Sequence, residues 1–406
     1  MTRPALEVAD IFREYGAQYR KIHATSMSHD QHRAMRAIEV CRTAFLGGHI
    51  DVCDECGLTR SSYNSCRNRH CPKCQSLAKA EWLEARMAEL LPTQYYHVVF
   101  TIPKELASIA YQNKKLVYTI LFRSAAETLR TIAADPKHLG AQIGFLAVLH
   151  TWNQVLLHHP HLHCVIPGGG LSSDRKQWFS CRPGFFLPVR VLSRLFRKRF
   201  LYYLKRAFDQ GKLQFFSELK PLANAKAFDR FLQKNRKCEW VVYAKPPFGG
   251  PSQVLDYLGR YTHRVAISNN RLVASQNGKV TFQWRDRKKH NRIRSKTLEV
   301  DEFIRRFLLH ILPHRFAKIR YFGFLANRHR RDRLSLCRLL LNASPLQTHP
   351  DILDWKSRYQ SLTGESLDIC PFCHKGRMLV VQILPPPWQR RSYHQPKTIE
   401  LRIHSP

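Results

Sequence analysis

Acidic residues are scarce in this chain. Its 406 residues include 30 Asp and Glu against 66 Lys and Arg, and the formal net charge is +36. This shortage of negative charge leaves a strong attraction for polyanions, of which nucleic acid is the usual one. The composition therefore predicts nucleic-acid binding that weakens steeply with salt, because each neutralised phosphate releases counterions.

The sequence also lacks a membrane-spanning segment and the phosphate-binding motif of a helicase. No apolar stretch is long enough to span a bilayer, and residues 1–16 have mixed charge rather than the apolar run of a secretory leader. We therefore expect a cytoplasmic protein, associated with the nucleoid in a bacterium, with no membrane partner. No Gly-x4-Gly-Lys-Ser/Thr phosphate loop occurs, which excludes a built-in helicase of that type.

The order of apolar segments indicates the fold class. Strand-like runs occupy residues 95–102, 143–152, 161–167 and 239–244. Helix-like patterns occupy residues 77–91, 107–133 and 188–210. This order predicts an α+β (mixed α/β) core with mostly antiparallel strands rather than a doubly wound parallel sheet.

Five of the twelve cysteines fall between residues 53 and 74. The steps Cys53-x2-Cys56 and Cys71-x2-Cys74 are fourteen residues apart, which is compatible with one tetrahedral, structural zinc site. Our predicted ligands are these four thiolates. Cys66 and His70 lie in the intervening loop and are alternates or a partial second site, while Arg67 and Arg69 make the segment basic and suited to DNA.

A second, weaker zinc signal occurs near the C-terminus. Cys370-x2-Cys373 repeats the same step, but it stands without a neighbouring pair in the sequence. A tetrahedral site needs two more ligands. The sequence leaves open whether this step binds zinc or is only a pair of free thiols.

His161-Leu162-His163 is the most informative motif. Side chains alternate along a strand, so the two imidazoles share one face while Leu162 points into the core. Two histidines on a rigid strand can form half of a divalent-metal site, for which Mg²⁺ and Mn²⁺ are both candidates. The third ligand that we predict is Gln154, with His150 and His97 as rivals and the carboxylate of Asp256 as a further option.

Tyr257 and Tyr261 lie four residues apart, on one face if their segment is helical. A phenol can act as a covalent nucleophile when a metal or a cation helps it to ionise. Arg260, Arg264 and Lys245 are the cations that we expect to help and to contact DNA. Taken alone, two tyrosines at this spacing are more often core residues that pack against the sheet from one face of a helix.

A basic run follows at residues 285–296, with seven Lys or Arg in twelve positions. The ordinary interpretation of such a run is a solvated loop. In so basic a chain we expect it to follow the phosphates of DNA. The residues chosen for that role are Arg287, Lys288, Lys289, Arg292 and Arg294.

Together these motifs resemble a known family. The segments SCRNRHCPKCQ (65–75), HLH (161–163) with PGGG (167–170), and YLGRYTHRVAIS (257–268) are similar to the rolling-circle insertion-sequence transposases of family ninety-one (IS91). These belong to the HUH endonucleases, named for His-hydrophobic-His. The resemblance covers roughly residues 40 to 330.

The resemblance implies a nuclease domain with an antiparallel, RRM-like sheet and an N-terminal zinc-binding domain. It implies that His161 and His163 bind the catalytic metal, and that Tyr257 and Tyr261 form 5′-phosphotyrosine, with Tyr257 the more dependable. The expected partners are single-stranded or hairpin DNA at element ends, with host replication machinery or a host helicase. The resemblance gives no oligomeric state.

The domain division that follows has four parts. Residues 1–91 form the N-terminal helices and zinc-binding domain, 92–264 the nuclease, 265–335 a basic DNA-binding extension, and 336–406 a C-terminal tail with the possible second zinc site. Two other functions stay open at this point. One is a replication initiator or relaxase with the same chemistry, and the other is a zinc-dependent DNA-binding regulator.

Overall fold

A computed structural model describes residues 4–245, 253, 259, 266–286, 290–345 and 354–389, with only the backbone given at 75, 76 and 245. The contacts divide the chain into two units. Unit 1 comprises residues 1–82, 263–311 and 349–406, and unit 2 comprises residues 83–262 and 312–348. In the part of the chain that is described, no helix has the length and apolar character needed to cross a membrane.

Helices with described bounds are numbered here in chain order. They are α1 (Val8–Ile22), α2 (His29–Glu39), α3 (Gln75–Met87), α4 (Ala107–Gln112), α5 (Lys114–Ala134), α6 (Val189–Asp209), α7 (Ala225–Lys237), α8 (Val300–Leu309), α9 (Arg330–Leu340) and α10 (Trp355–Thr363).

The strands are numbered in the same way. They are β1 (Gly48–Cys53), β2 (Thr59–Tyr63), β3 (Tyr95–Thr101), β4 (Phe145–Trp152), β5 (His158–Pro167), β6 (Gly169–Leu171), β7 (Trp178–Ser180), β8 (Val242–Lys245), β9 (Leu272–Gln276), β10 (Lys279–Asp286), β11 (Arg292–Glu299), β12 (Ile319–Phe322) and β13 (Met378–Leu384).

Unit 2 is built on a five-stranded sheet in the order β12-β4-β5-β3-β8, in which every neighbouring pair is antiparallel. Alternate residues of the central strands, among them Phe100, Leu162 and Phe145, are fully buried in one hydrophobic core. Because side chains alternate across a strand, His161 and His163 lie on the opposite face of the same sheet. The sheet therefore separates the apolar core from the histidines.

Helices α5 and α6 supply the other side of that core. Leu192, Phe196, Phe200 and Leu204 follow one another at four-residue steps along α6, and all four are buried. Such spacing forms a single apolar stripe on a helix, which packs against the sheet. Burying this stripe stabilises the sheet that carries the histidines.

Unit 1 contains two small antiparallel sheets, β13-β1-β2 and β11-β10-β9. Helices α1 and α8 pack through Phe12 and Phe307, whose ring centroids are 5.3 Å apart. Asn277 and Gly278 both have positive φ, the conformation that a tight two-residue hairpin turn requires, and they join β9 to β10. An Asn-Gly pair favours this turn because both residues tolerate positive φ.

The predicted α+β (mixed α/β) fold with antiparallel sheets flanked by helices is confirmed. The two units differ from the predicted four-part division. By contacts, residues 263–311 and 349–406 group with residues 1–82, and residues 312–348 group with unit 2, whereas the four-part division stays a prediction. Strand pairing accounts for part of this difference, since β12 extends the five-stranded sheet and β13 pairs with β1.

Candidate metal centres

Three histidines converge on one face of the five-stranded sheet. A ring nitrogen from each of His150, His161 and His163 lies within 4.8 Å of the other two. His161 is directly opposite His150 in the pairing of β5 with β4, and directly opposed residues share a face. His150 and His163 are buried, and His161 is half-buried. Three imidazoles at this separation can ligate one divalent cation and leave further positions open.

Hydrogen bonds orient two of these rings. His161 Nδ1 lies 2.7 Å from the carbonyl oxygen of His159, which can only accept, so Nδ1 carries the proton and Nε2 keeps its lone pair when the ring is neutral. His163 Nδ1 lies 2.9 Å from His97 Nε2. Partners of this kind fix the tautomer and the ring angle of metal-binding histidines. His150 and His97, the alternatives to Gln154 as third ligand, therefore lie beside the pair formed by His161 and His163.

Gln154 lies in the turn between β4 and β5. Strand pairing ends at Trp152 opposite His158, and Asn153 closes the turn by donating its N–H to the carbonyl of Leu157 at 3.1 Å. The role of Gln154 as third metal ligand stays a prediction. Asp256, the carboxylate alternative, lies outside the described residues.

Eight cysteines form two separate sets, each with its sulfur atoms within 4.8 Å of one another. The first set is Cys41, Cys66, Cys71 and Cys74, and the second is Cys53, Cys56, Cys370 and Cys373. The predicted set Cys53, Cys56, Cys71 and Cys74 is thus not brought together, because each of its two pairs belongs to a different set. His70 belongs to neither, and its Nδ1 lies 3.2 Å from Asn68 Oδ1.

A β-hairpin explains why the two nearby pairs are separated. Cys53 ends β1 and Cys56 lies in the turn, after which β2 runs back alongside β1. Five residues of extended strand span about 17 Å. The chain that reaches Cys66, Cys71 and Cys74 has therefore left the turn and returned to the other end of β1. Cys41 comes shortly before β1 at that same end, and it is the ligand candidate that the sequence analysis missed.

Both sets have the geometry that zinc requires. The sulfur atoms of Cys53 and Cys373 are 3.7 Å apart, as are those of Cys56 and Cys370. A tetrahedron with Zn–S bonds of about 2.3 Å has edges of about 3.8 Å. In the first set, Cys41 Sγ and Cys66 Sγ lie 3.3 Å and 3.6 Å from Cys74 Sγ. The cysteines are free, and sulfur atoms this far apart are not disulfide-bonded.

In each set two thiols have a lowered pKa, Cys41 and Cys74 in the first and Cys370 and Cys373 in the second, while the pKa values of Cys66, Cys71 and Cys56 are raised. The thiols of Cys41 and Cys66 hold the pKa of Cys74 far below its ordinary value. The backbone N–H of Gly376, followed by that of Lys375, lowers the pKa of Cys373 to about 6. The thiolate is the form that binds a metal, so Cys74 and Cys373 are the sulfur atoms most ready to ionise and bind zinc.

The predicted tyrosines and several predicted DNA contacts lie outside the described residues. These are Tyr257, Tyr261, Arg260, Arg264, Arg287, Lys288 and Lys289. The side chain of Lys245 is also outside the description. Arg67, Arg69, Arg292 and Arg294 are described and are exposed to solvent, where a phosphate could reach them.

Comparison with known proteins gives the following matches. A family described as "Putative transposase" matches residues 144–333, and a family described as "Transposase zinc-binding domain", from IS91 transposases, matches residues 11–102. The "Putative transposase y4qJ" of Sinorhizobium fredii is 63% identical over 386 residues, which cover 94% of this chain and 96% of that protein.

A more distant relative is the "Transposase for insertion sequence element IS801" of Pseudomonas savastanoi pv. phaseolicola. It is 28% identical over 294 residues, which cover 71% of this chain and 68% of that protein. No solved structure gives a significant match.

Proposed function

The chain belongs to the IS91 family of transposases and carries that family's zinc-binding domain at its N-terminus, and from this membership we propose that it cuts and rejoins single-stranded DNA through phosphotyrosine intermediates. The observation that carries the proposal is the group formed by His150, His161 and His163 on one face of the sheet. Imidazole nitrogens ligate divalent transition-metal ions, so we expect Mn²⁺ to bind here more tightly than Mg²⁺, which prefers oxygen ligands and would keep most of its waters.

The protein residues fix the geometry of this site. His161 is held by the carbonyl of His159, and His163 is held by His97, so both rings keep their orientation before any cation binds. Leu162 is fully buried on the opposite face and anchors the strand between them. A cation bound here would polarise the scissile phosphate and neutralise charge as it develops.

Tyr257 is the nucleophile in this proposal. Its phenolic oxygen attacks the phosphorus, a bond from that oxygen to phosphorus forms, and the bond from phosphorus to the 3′ oxygen breaks. The phenol loses its proton and the released 3′ oxygen gains one. The 5′ end of the DNA stays attached as phosphotyrosine, so the number of phosphoester bonds is unchanged and no ATP is needed. Tyr261 would permit a second, linked exchange at another junction.

The charge of the chain supports a DNA substrate. Arg67, Arg292 and Arg294 are exposed residues that can contact phosphates without reading the sequence, whereas burial lowers the pKa of the Arg69 guanidinium and leaves less of that group accessible. We propose single-stranded or hairpin element ends as the substrate, as in rolling-circle transposition. Since the sequence has no phosphate loop, a host helicase or the replication machinery would supply the single strand.

The test uses 5′-labelled and 3′-labelled single strands that carry candidate element ends, with Mg²⁺ or Mn²⁺. We expect a denaturant-stable adduct between protein and DNA, absent in Tyr257→Phe and present in Tyr202→Phe, a matched change at an exposed tyrosine. His161→Ala combined with His163→Ala should abolish cleavage. His138→Ala, an exposed histidine, should leave it unchanged.

Several outcomes would count against the proposal. Adducts that persist when Tyr257 and Tyr261 are both replaced by Phe reject the nucleophile assignment. Undiminished cleavage in the double histidine variant rejects the metal assignment. Salt-sensitive DNA binding without any cleavage would indicate a zinc-dependent regulator, and cleavage at a single origin without joining of element ends would indicate a replication initiator or relaxase.

The third ligand is decided by a paired comparison. His150→Ala and Gln154→Ala remove the two candidate groups one at a time. His150 shares the face of His161, so we expect the larger fall in Mn²⁺ affinity from His150→Ala. A larger fall from Gln154→Ala would restore the ligand predicted from the sequence.

A further inference from the structure

The second cysteine set joins residues that are far apart in the sequence. Cys53 and Cys373 are 320 positions apart, and Cys56 and Cys370 are 314 apart. The sequence pair Cys53 and Cys56 lies within the region that matches the zinc-binding family, residues 11–102, whereas the sequence pair Cys370 and Cys373 lies outside it. We propose that the chain binds two zinc ions, and that the second ion, held by Cys53, Cys56, Cys370 and Cys373, fastens the C-terminal segment into the N-terminal domain.

The two cysteine pairs of this set have matching backbone conformations. After the first pair, Gly57 has a φ of 69° and donates its N–H to the carbonyl of Cys53 at 3.1 Å. After the second pair, His374 has a φ of 57° and donates to the carbonyl of Cys370, also at 3.1 Å. A left-handed residue at the same position in both turns lets each pair direct both sulfur atoms to one point. The C-terminal turn is therefore a second copy of the N-terminal one.

Backbone donors complete both turns. The N–H of Cys56 lies 3.5 Å from Cys53 Sγ, and the N–H of Gly376 lies 3.4 Å from Cys373 Sγ. Hydrogen bonds to the sulfur favour a charged thiolate and orient it. Together with sulfur separations near a zinc tetrahedron edge, these contacts describe a preformed four-thiolate site rather than cysteines that are close by chance.

Strand pairing brings the two turns to the same end of a sheet. Strand β1 ends at Cys53, and β13 begins at Met378 directly opposite it. The Asp54 N–H donates to the carbonyl of Arg377 at 3.1 Å, and the Arg377 N–H donates to Asp54 Oδ1 at 2.7 Å. The register thus places the C-terminal turn beside the N-terminal turn.

Little hydrophobic burial holds this junction. Along β13 only Met378 is buried, whereas Val380 and Ile383 are about half exposed. The local apolar cluster contains Cys53, Cys370 and Met378, with Leu58 and Cys373 against it. A core this small contributes little to stability, and in such cases a metal commonly supplies it. The second ion would therefore stabilise a junction that is otherwise held mainly by backbone pairing of β1 with β13.

The test is zinc stoichiometry measured on the full-length protein by native mass spectrometry. In a His161→Ala, His163→Ala background, which removes the histidine group as a competing zinc site, we expect two zinc ions with all cysteines intact, one after Cys370→Ser with Cys373→Ser, and one after Cys71→Ser with Cys74→Ser. The matched control, Cys181→Ser with Cys238→Ser, changes two half-buried cysteines outside both sets and should keep two. Cys56→His preserves four ligands and should also keep two.

A second measurement separates loss of the metal from loss of the fold. Amide hydrogen exchange should accelerate in β1 and β13 of the Cys370→Ser, Cys373→Ser variant, while β4 and β5 keep their protection. The proposal is overturned by a single zinc in the His161→Ala, His163→Ala background with all cysteines intact. It is also overturned if the C-terminal variant keeps two ions, or if it loses both while β4 and β5 stay protected. Neither measurement depends on DNA cleavage, so failure here is distinct from failure of the proposed nuclease.

Discussion

A methyl group added at Gly376 has no room beside the second cysteine set. A β-carbon at that position would lie 2.5 Å from Cys53 Sγ, 2.7 Å from Asp54 Oδ1 and 2.7 Å from the β-carbon of Glu55. Ordinary contacts begin at 3.4 Å. To relieve the first contact alone, the sulfur and the new methyl group must separate by a further 0.9 Å (3.4 minus 2.5).

That displacement is large for a metal site. Ligand distances in zinc sites hold to within about 0.2 Å, and overpacking of a filled site costs about 1–3 kcal/mol. We therefore expect Gly376→Ala to lose the second zinc and keep the first. Thermal unfolding followed by circular dichroism, with zinc counted in the same samples, measures both effects. The midpoint should fall by roughly 2–4 °C for each kcal/mol lost.

Lys375→Ala is the matched control. Lys375 is the exposed neighbour of Gly376, and its change to alanine leaves the backbone donors in place. This control should keep two zinc ions and the wild-type midpoint. If Gly376→Ala gives the same zinc content and midpoint as Lys375→Ala, the close approach of Gly376 to Cys53 has no energetic consequence and the reasoning is refuted.

Three other predictions concern the histidine site, the core and an ion pair. His97→Ala removes the partner of His163 and should weaken Mn²⁺ binding by roughly 10–100-fold in calorimetry; equal affinity would contradict it. Leu162→Ala should lower the free energy of unfolding, measured by urea denaturation, by about 2–5 kcal/mol. A loss below about 1 kcal/mol would be inconsistent with the full burial of Leu162. Arg305 lowers the pKa of Glu302 to about 2, so the ion pair's stabilisation is complete above the ordinary value of 4.5 and is lost as pH falls toward 2. Glu302→Gln should lower the free energy of unfolding by under about 1 kcal/mol at neutral pH. The difference in free energy of unfolding between wild type and variant should shrink as the pH falls, and a difference that grows in acid would contradict the prediction.

Much of the fold is predictable from local pattern. The alternating or continuous apolar runs identify β3, β4 and β5, and four-residue spacing identifies α6. The Asn277-Gly278 pair identifies a hairpin turn because both residues tolerate positive φ. The domain division is less predictable, since residues 263–311 and 349–406 join residues 1–82 across long stretches of sequence.

The candidate sites show the same contrast. His161 and His163 are placed on one face by two-residue alternation alone, without any long-range information. His150 is brought opposite His161 only by the register of β4 with β5, and without that register the sequence favours Gln154, four residues further along, as third ligand. The cysteine steps are visible in the sequence, but their partners are not.

By itself, the sequence determined the polyanionic partner, the presence of cysteine pairs suited to zinc, and the shared face of the two histidines, because charge, two-residue steps and strand alternation are local properties. Only the tertiary structure decided which cysteine pairs meet and that His150 lies beside His161 and His163. A hairpin carries Cys53 and Cys56 away from Cys71 and Cys74, and the pairing of β13 with β1 brings Cys370 and Cys373 to them. Strand register is set by contacts between distant segments, and spacing along the chain does not encode it.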